Sequence, residues 1–315
     1  MKLERFEENL PPAIRPLYAA FEAELHYPLG PGRSFQIVHE CGAHGFFGAM
    51  GPAMSVLAFD DVGICGSGAV AIRGILLPDG SRRSTAYFGD LRVAARARGS
   101  LCLFRVVREL ETWARRSCDS GIAIVMDGTA HTPLDYTGRA GIPGFCVLGH
   151  TTIWLLTATH GEANQAGVRS VSRQTAEEAF EMLRAGRPAL LCGEPTLRSA
   201  MTPEWILSAD ETACGCLEDT RLAKRLVLDD GSEIRSVHLS SFVFANPASG
   251  SQLLRYALSR AASLGFEHLF TAVAPDDAER LLPEISAIER MDAPATLFGA
   301  GISPCPQWIL NTSEI

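Results

Sequence analysis

The chain has 315 residues, 47% of them hydrophobic, and a formal net charge of −8. That length suits two domains of about 150 residues, each with its own core, and the acidic balance excludes a broad nucleic-acid-binding surface. The nine cysteines are odd in number and scattered, which fits a reduced cytoplasmic protein better than a disulfide scaffold.

The first residues, Met1 to Glu8, contain no signal-peptide core. No apolar run reaches the length of a membrane span. Residues 11–27 predict an amphipathic helix opened by Pro11 and Pro12, with Ile14, Leu17, Ala20, Phe21 and Leu25 on one face. Residues 35–39 predict the first strand. A glycine-rich loop over 42–51 carries Phe46, Phe47 and Met50, with Met54 nearby. Segments 55–59 and 68–77 continue an antiparallel sheet, which an Asp79-Gly80 turn joins to a strand over 84–93. A helix over 100–117 presents Leu101, Phe104, Val107, Leu110 and Ala114 at helical spacing. Gly121 leads into a strand over 122–126. A loop runs through 137–144, and strand signal returns over 151–156.

Residues 158–172 are small and polar and read as the linker. A helix over 175–184 has a capping-type start, Thr175 with Glu178 three residues on. A second sheet begins near Ala213. Cys214-Gly-Cys216 lacks a second pair at zinc-site spacing, so it reads as a strand with small buried residues and no metal is expected. The tail over 304–315 reads as extended with a frayed end.

The chain repeats itself. Leu77-Pro-Asp-Gly-Ser81 matches Leu228-Asp-Asp-Gly-Ser232 at an offset of 151. The same offset carries Val93 to Phe244, Gly99-Ser100 to Gly250-Ser251 and Leu103 to Leu254. A helix follows in both places and leads through Gly121 or Gly265 into a short apolar strand. A shared order of hairpin, strand, Gly-Ser helix start, helix, glycine and strand points to duplication. The halves differ in charge: the first turn carries Arg92, Arg96 and Arg98, whereas Ser249 stands where the repeat places Arg98. An anionic ligand should therefore prefer the first half.

The segment Tyr87-Phe-Gly-Asp-Leu-Arg-Val93, followed by Arg98-Gly-Ser100, is a strand running through a basic turn into a helix. A strand edge offers backbone N–H and C=O groups, and a helix N-terminus offers aimed N–H donors at a positive dipole end. Together they suit a ligand with an amide-containing arm and a pyrophosphate, a description that coenzyme A meets. The segment Phe88-Gly-Asp-Leu-Arg-Val93 with Arg98-Gly99 resembles motif A of the GNAT N-acyltransferase superfamily, and the doubled layout resembles its tandem-domain members. The resemblance spans roughly 35–157 and 203–301. Leu101 and Leu103 stand where that family carries glycines at the helix start.

The resemblance implies an α/β (α+β) fold of two tandem GNAT-like domains, each a mixed, mostly antiparallel sheet flanked by helices. Residues 1–157 would bind the cofactor, 158–202 form a linker and helix, and 203–315 form a degenerate second domain. It implies transfer of an acyl group from acetyl-CoA or a longer acyl-CoA, or from an acyl-carrier-protein thioester, to a primary amine of a small molecule or peptide side chain. The backbone of Leu91, Arg92 and Val93 would hold the pantetheine arm, and Arg98, Gly99 and Ser100 would face the pyrophosphate. A tyrosine that protonates the leaving thiolate falls nearest Tyr136, ahead of Gly141.

Read from the residues, Asp90 is the candidate base that takes the amine proton. Glu40, Phe46 and Phe47, with His39, Cys41 and His44 beside them, would line the acceptor site. Direct transfer needs no covalent nucleophile when both substrates are bound together, and nothing assigns Cys41 a partner base. Two other readings stay open: a binding or scaffold protein that kept the fold without catalysis, and a thioester-using condensing or decarboxylating enzyme.

Overall fold

The computed structural model describes residues 1–28, 34–40, 42–139, 142–160 and 167–315. In chain order the elements are β1 (Lys2–Phe6), α1 (Arg15–Glu22), β2 (Tyr27–Pro28), β3 (Ser34–Val38), α2 (His44–Gly48), β4 (Ala53–Phe59), β5 (Ile64–Leu76), β6 (Arg82–Val93), α3 (Cys102–Ala114), β7 (Gly121–Met126) and β8 (Cys146–Thr157). There follow β9 (Val168–Ser170), α4 (Arg173–Leu183), β10 (Ala189–Leu190), β11 (Glu204–Ser208), β12 (Ala213–Glu218), β13 (Arg225–Leu228), β14 (Ser236–Phe244), α5 (Pro247–Ser263), β15 (His268–Val273), α6 (Pro275–Leu281) and β16 (Arg290–Ala300).

One mixed, mostly antiparallel sheet carries the order β1-β4-β5-β6-β7-β16-β8-β15-β14-β12-β11-β9, and β10 adds to β5. Two neighbouring pairs in it are parallel, β6 with β7 and β14 with β15. Its centre is an exchange: β16, from the end of the chain, pairs with β7 and β8, and β8 pairs with β16 and β15. The sheet therefore runs unbroken through both repeats, where the sequence suggested a second sheet starting near Ala213. A side sheet, β13-β3-β2, takes up the strand expected at 35–39.

The two Asp-Gly turns superpose in their hydrogen bonding. Leu77 N–H donates to Ser81 O (2.9 Å) and Gly80 N–H to Leu77 O (3.0 Å); Leu228 N–H donates to Ser232 O (2.8 Å) and Gly231 N–H to Leu228 O (2.9 Å). Both glycines sit at φ +83, which only glycine adopts without strain. Asp79 accepts from Ser81 N–H and Oγ–H at 2.9 and 2.6 Å, and Asp230 accepts from Ser232 at the same distances. The second turn closes β13 of the side sheet rather than a long hairpin.

Several elements differ from the sequence reading for physical reasons. β1 pairs along β4 from Lys2–Phe59 to Phe6–Ser55, an edge strand whose charged residues hid it. The helix expected over 11–27 is the short α1, burying Tyr18, Phe21 and Glu22 while Leu17 stays exposed. The glycine-rich loop contains α2. α4 starts earlier than expected because Ser172 Oγ, not Thr175, caps it by accepting from Thr175 N–H (3.1 Å). The linker stretch contains β9, which pairs with β11 at the sheet edge.

The tail is the largest correction. It is not frayed: Trp308, Ile309, Leu310, Asn311, Thr312, Ser313 and Glu314 are all buried. Three consecutive apolar residues commit it to the interior. Glu314 then lies between Arg73 and Arg198, accepting from Arg198 Nη1 (2.9 Å), Gly193 N–H (2.7 Å) and Arg73 Nη2. Glu218 pairs with the far side of Arg198 (2.7 Å). Burial alone would raise the Glu314 carboxyl, but Arg73 and Arg198 hold it down at about 2.

A carboxyl depressed in the folded state stabilises the fold above its unfolded pKa of about 4.3, and loses that contribution as pH falls toward 2. Glu314→Gln should cost about 3–5 kcal/mol at pH 7, because buried Arg73 loses its carboxylate partner and buried Arg198 loses one of its two. The difference from the unsubstituted chain should narrow between about pH 5 and 2. Urea unfolding across that range measures it; equal stability at pH 7 contradicts the assignment.

Candidate functional site

The site is built where β6 stops pairing with β7. The two strands are matched only at Ala86–Gly121 and Tyr87–Ile122, although β6 continues to Val93 and β7 to Met126. Asp90 has φ +53, and the β5–β6 register shifts between Ser67 and Ala69. This bulge turns β6 away from β7 and opens a wedge between the strands. Ser67 Oγ steadies it by donating to Asp90 O (3.1 Å). Gly89, next to the bulge, has no room for a Cβ, which would lie 2.8 Å from Phe47 Cζ.

The same device occurs 151 residues later. β14 and β15 pair only over Ser236–His238 and His268–Phe270, Ser241 has φ +50, and the β12–β14 register shifts there. The second wedge is filled by the tail. Ser241 N–H donates to Asn311 Oδ1 (2.8 Å), Ser240 Oγ meets Ser313 Oγ (2.8 Å), and His238 Nδ1 meets Thr312 Oγ1 (2.9 Å). Among the described residues, no side chain takes the Asn311 place at the Asp90 amide.

The first wedge is lined instead by buried ionisable groups. Asp90 accepts from Tyr18 Oη (2.7 Å) and is ion-paired with Arg92. Arg92 Nη1 donates to Glu22 Oε1 (3.0 Å). Glu22 in turn holds His39 twice, at ring Nδ1 (2.7 Å) and at backbone N–H (3.0 Å). Burial alone would lower the Arg92 pKa, but Asp90, Tyr27, Tyr18 and Glu22 outweigh it and keep the guanidinium charged. Burial first, then Asp90, holds the Tyr18 phenol well above its usual range. Glu22, His39 and Asp90 bring ligand atoms within 4.8 Å of one another, a spacing a metal ion would accept. Arg92 already supplies the positive charge there, pairing with both carboxylates.

The sequence candidates separate in space. Arg92 contributes its side chain to the buried cluster, and Arg96 is tied to Asp60 (3.0 Å) and to Ile64 O (2.6 Å). The basic turn is thereby reduced to Arg98, which is exposed and has no partner among the described residues. Gly99 has φ +76 and open space around it. Ser100 Oγ accepts from Cys102 N–H (3.1 Å) at the start of α3. Leu91 is partly exposed and Val93 half-buried.

Tyr136 packs edge-on against Phe104 of α3 (5.9 Å), in the apolar layer that also holds Phe88 and Phe145. Asp90 and its partners lie toward α1 on the other face. Glu40 is exposed and pairs with Arg225 (3.1 Å), away from Phe46 and Phe47. Phe46 lies 5.8 Å from the His39 ring, and Phe47 stacks on Tyr87 (5.8 Å). Met50 joins them, but Met54 faces the α3 layer. Cys41 and Gly141 lie outside the described residues.

Sequence reasoning missed Glu22, Tyr18 and Asn311. Glu22 had a legible signal: it adjoins Phe21 and follows Tyr18 by one helical turn, so a charge falls inside the buried stripe. A second buried group, Lys224, packs 4.6 Å from the Phe46 ring and donates to Thr312 O (3.4 Å). Burial, with Arg198 adding to it, pulls its pKa down to about 7.

No protein-family model matches the chain, and no curated protein matches it significantly. Solved structures do match. Saccharomyces cerevisiae N-myristoyltransferase with bound myristoyl-CoA aligns at TM-score 0.64 and 8% identity, covering 97% of this chain and 84% of that one. A GCN5-related N-acetyltransferase from Kribbella flavida aligns at 0.54 and 13%, covering 95% and 71%. Another, from Anabaena variabilis, aligns at 0.53 and 12%, covering 94% and 72%. With these matches, the large mixed sheet and its helices show the fold that N-myristoyltransferase and the GCN5-related N-acetyltransferases share.

Proposed function

We propose that this chain is an N-acyltransferase that moves an acyl group from an acyl-CoA to a primary amine of a small molecule or peptide side chain. The observation that carries the reading is the asymmetry of the two wedges. Each half has the bulge and the parted parallel strands, but the tail fills the second. The two halves act as tandem GNAT-like units, with the donor bound in the first. The pantetheine arm runs along Leu91, Arg92 and Val93, and the turn at Arg98, Gly99 and Ser100 receives the pyrophosphate. Open space at Gly99 and the two-thirds-exposed side chain of Leu101 leave that turn approachable despite the missing glycines.

In the reaction, the amine nitrogen attacks the thioester carbonyl, the C–S bond breaks, and the ammonium proton must leave. Asp90 would receive the acceptor ammonium at the bulge. Its carboxylate is already engaged by Tyr18 and Arg92, which suits it to holding charge more than to abstracting a proton. Tyr136 would protonate the thiolate from the α3 side of the wedge. Free thiols among the described cysteines agree with work in a reducing compartment such as the cytoplasm. No helix of the described residues is long and apolar enough to cross a membrane.

Two measurements test this reading. Arg98→Ala should weaken CoA binding by roughly 1–3 kcal/mol without loss of stability. Ser249→Ala should leave CoA binding unchanged and cost about 1 kcal/mol of stability, since Ser249 Oγ donates to Asp210 (2.7 Å). Equal losses of CoA affinity in calorimetry would show that the halves are not specialised.

The second concerns the acyl chain. Phe46, Phe47 and Met50 form an apolar layer under the bulge, and each methylene buried there contributes about 0.8 kcal/mol. One structural neighbour holds myristoyl-CoA. A medium or long chain, carried by CoA or by an acyl carrier protein, should therefore be preferred. Among acetyl-, hexanoyl- and decanoyl-CoA, kcat/KM should be highest for decanoyl; a maximum at acetyl returns the chain to plain acetyl transfer.

A further inference from the structure

The proton released by the acceptor amine has no assigned destination, because Asp90 is engaged on both sides. The cluster beside it contains one group built to take it. Glu22 turns both its oxygens on His39, accepting from its backbone N–H (3.0 Å) and from ring Nδ1 (2.7 Å), while Arg92 shares the second oxygen. A carboxylate clamped in this way fixes both the ring's orientation and its tautomer. With Nδ1 carrying the hydrogen, the lone pair is on Nε2, which has no hydrogen-bond partner among the described residues.

The surroundings suit that task. The side chains of Glu22, His39, Arg92 and Asp90 are each at most 4% exposed. Two carboxylates face one guanidinium, so with His39 neutral the group is net negative and attracts an ammonium ion. The groups facing it are Glu22 and Tyr18 from α1, Tyr27 from β2, whose ring lies 5.6 Å from Arg92, and Asp90 and Arg92 from β6. Phe46 of α2 walls the His39 ring. The second wedge is arranged differently: Ser241 replaces Asp90, Val243 replaces Arg92, its buried His238 meets Thr312 of the tail, and the amide of Asn311 fills the space.

We infer that His39 is the general base of this site, with Glu22 as its positioning residue, and that the acceptor it serves is an amine protonated in solution. The inference rests on the acyltransferase reading above. Imidazole Nε2 takes one proton from the ammonium, the freed nitrogen pair forms the C–N bond, the C–S electrons leave with the thiolate, and the second proton lost from nitrogen as the amide forms balances the one the thiolate takes up from Tyr136. The proton passes from His39 to solvent between turnovers.

The test pairs two acceptors with decanoyl-CoA as donor and follows CoA thiol release. Hydroxylamine is largely unprotonated at neutral pH and needs no base beforehand; an alkylamine such as butylamine is almost wholly ammonium. His39→Gln keeps a donor toward Glu22 but cannot take up the proton. It should lower transfer to butylamine at pH 7 by about 100-fold or more and leave transfer to hydroxylamine within about threefold. Its butylamine rate should climb about tenfold per pH unit, following the free amine, whereas the unsubstituted chain levels off.

Equal losses with both acceptors would mark His39 as structural and overturn the inference, and so would no loss with either. If the unsubstituted chain transfers to neither acceptor and does not bind decanoyl-CoA in calorimetry, the acyltransferase reading itself fails, and the inference with it. Should H39Q not fold, the unsubstituted chain decides. A butylamine rate that levels off while hydroxylamine transfer stays flat supports a base in the site, and two parallel profiles contradict it.

Discussion

Asp90 and Ser241 hold their strands in left-handed backbone, a conformation that costs about 1–2 kcal/mol for a residue with a Cβ. Each sits just past the point where two parallel strands stop pairing. If β6 stayed extended, its amides and carbonyls would zip onto β7, and the sheet would be closed at this point. The strain is tolerated because the surroundings hold it. Asp90 is fixed by Ser67 at its carbonyl and by Tyr18 and Arg92 at its carboxylate, and Ser241 by the Asn311 side chain at its amide. The location of every candidate group follows from that local choice.

What separates the halves is the way each wedge is satisfied. In the second, the chain supplies its own filler, and the tail is anchored by apolar burial at Trp308 to Leu310 and by the chain of charges Arg73, Glu314, Arg198 and Glu218. That chain of charges links β5 of the first half to β12 of the second through the tail, so filling one wedge also locks the halves together. In the first, α1, β6 and the residue after β3 bring together Glu22, His39, Asp90 and Arg92, two carboxylates facing one guanidinium. The filled wedge serves as a brace, and the first is lined by buried polar groups.

Much of this was legible in the residues. The Asp-Gly turns, the 151-residue offset and the two helices after Gly99-Ser100 and around Gly250-Ser251 come from local chemistry, which turns and helix faces express directly. The offset even carries Asp90 onto Ser241. The exchange of β8 and β16 was not legible, because which strand fills the middle of a sheet is decided by pairings far apart in the chain. The tail was misread because polar Asn311, Thr312 and Ser313 look like solvent-facing residues until Trp308, Ile309 and Leu310 pull them inside. Glu40 was grouped with His39 by adjacency in sequence, but just past the end of β3 the two side chains part, Glu40 to Arg225 and His39 to Glu22 of α1.

The central claim is that the two halves share a wedge geometry and only the first is free to bind a thioester donor. Calorimetry with decanoyl-CoA tests it most directly through stoichiometry. The account predicts one molecule bound per chain, with the site weakened by Arg98→Ala. Two molecules per chain, or one whose affinity is indifferent to Arg98, would contradict it.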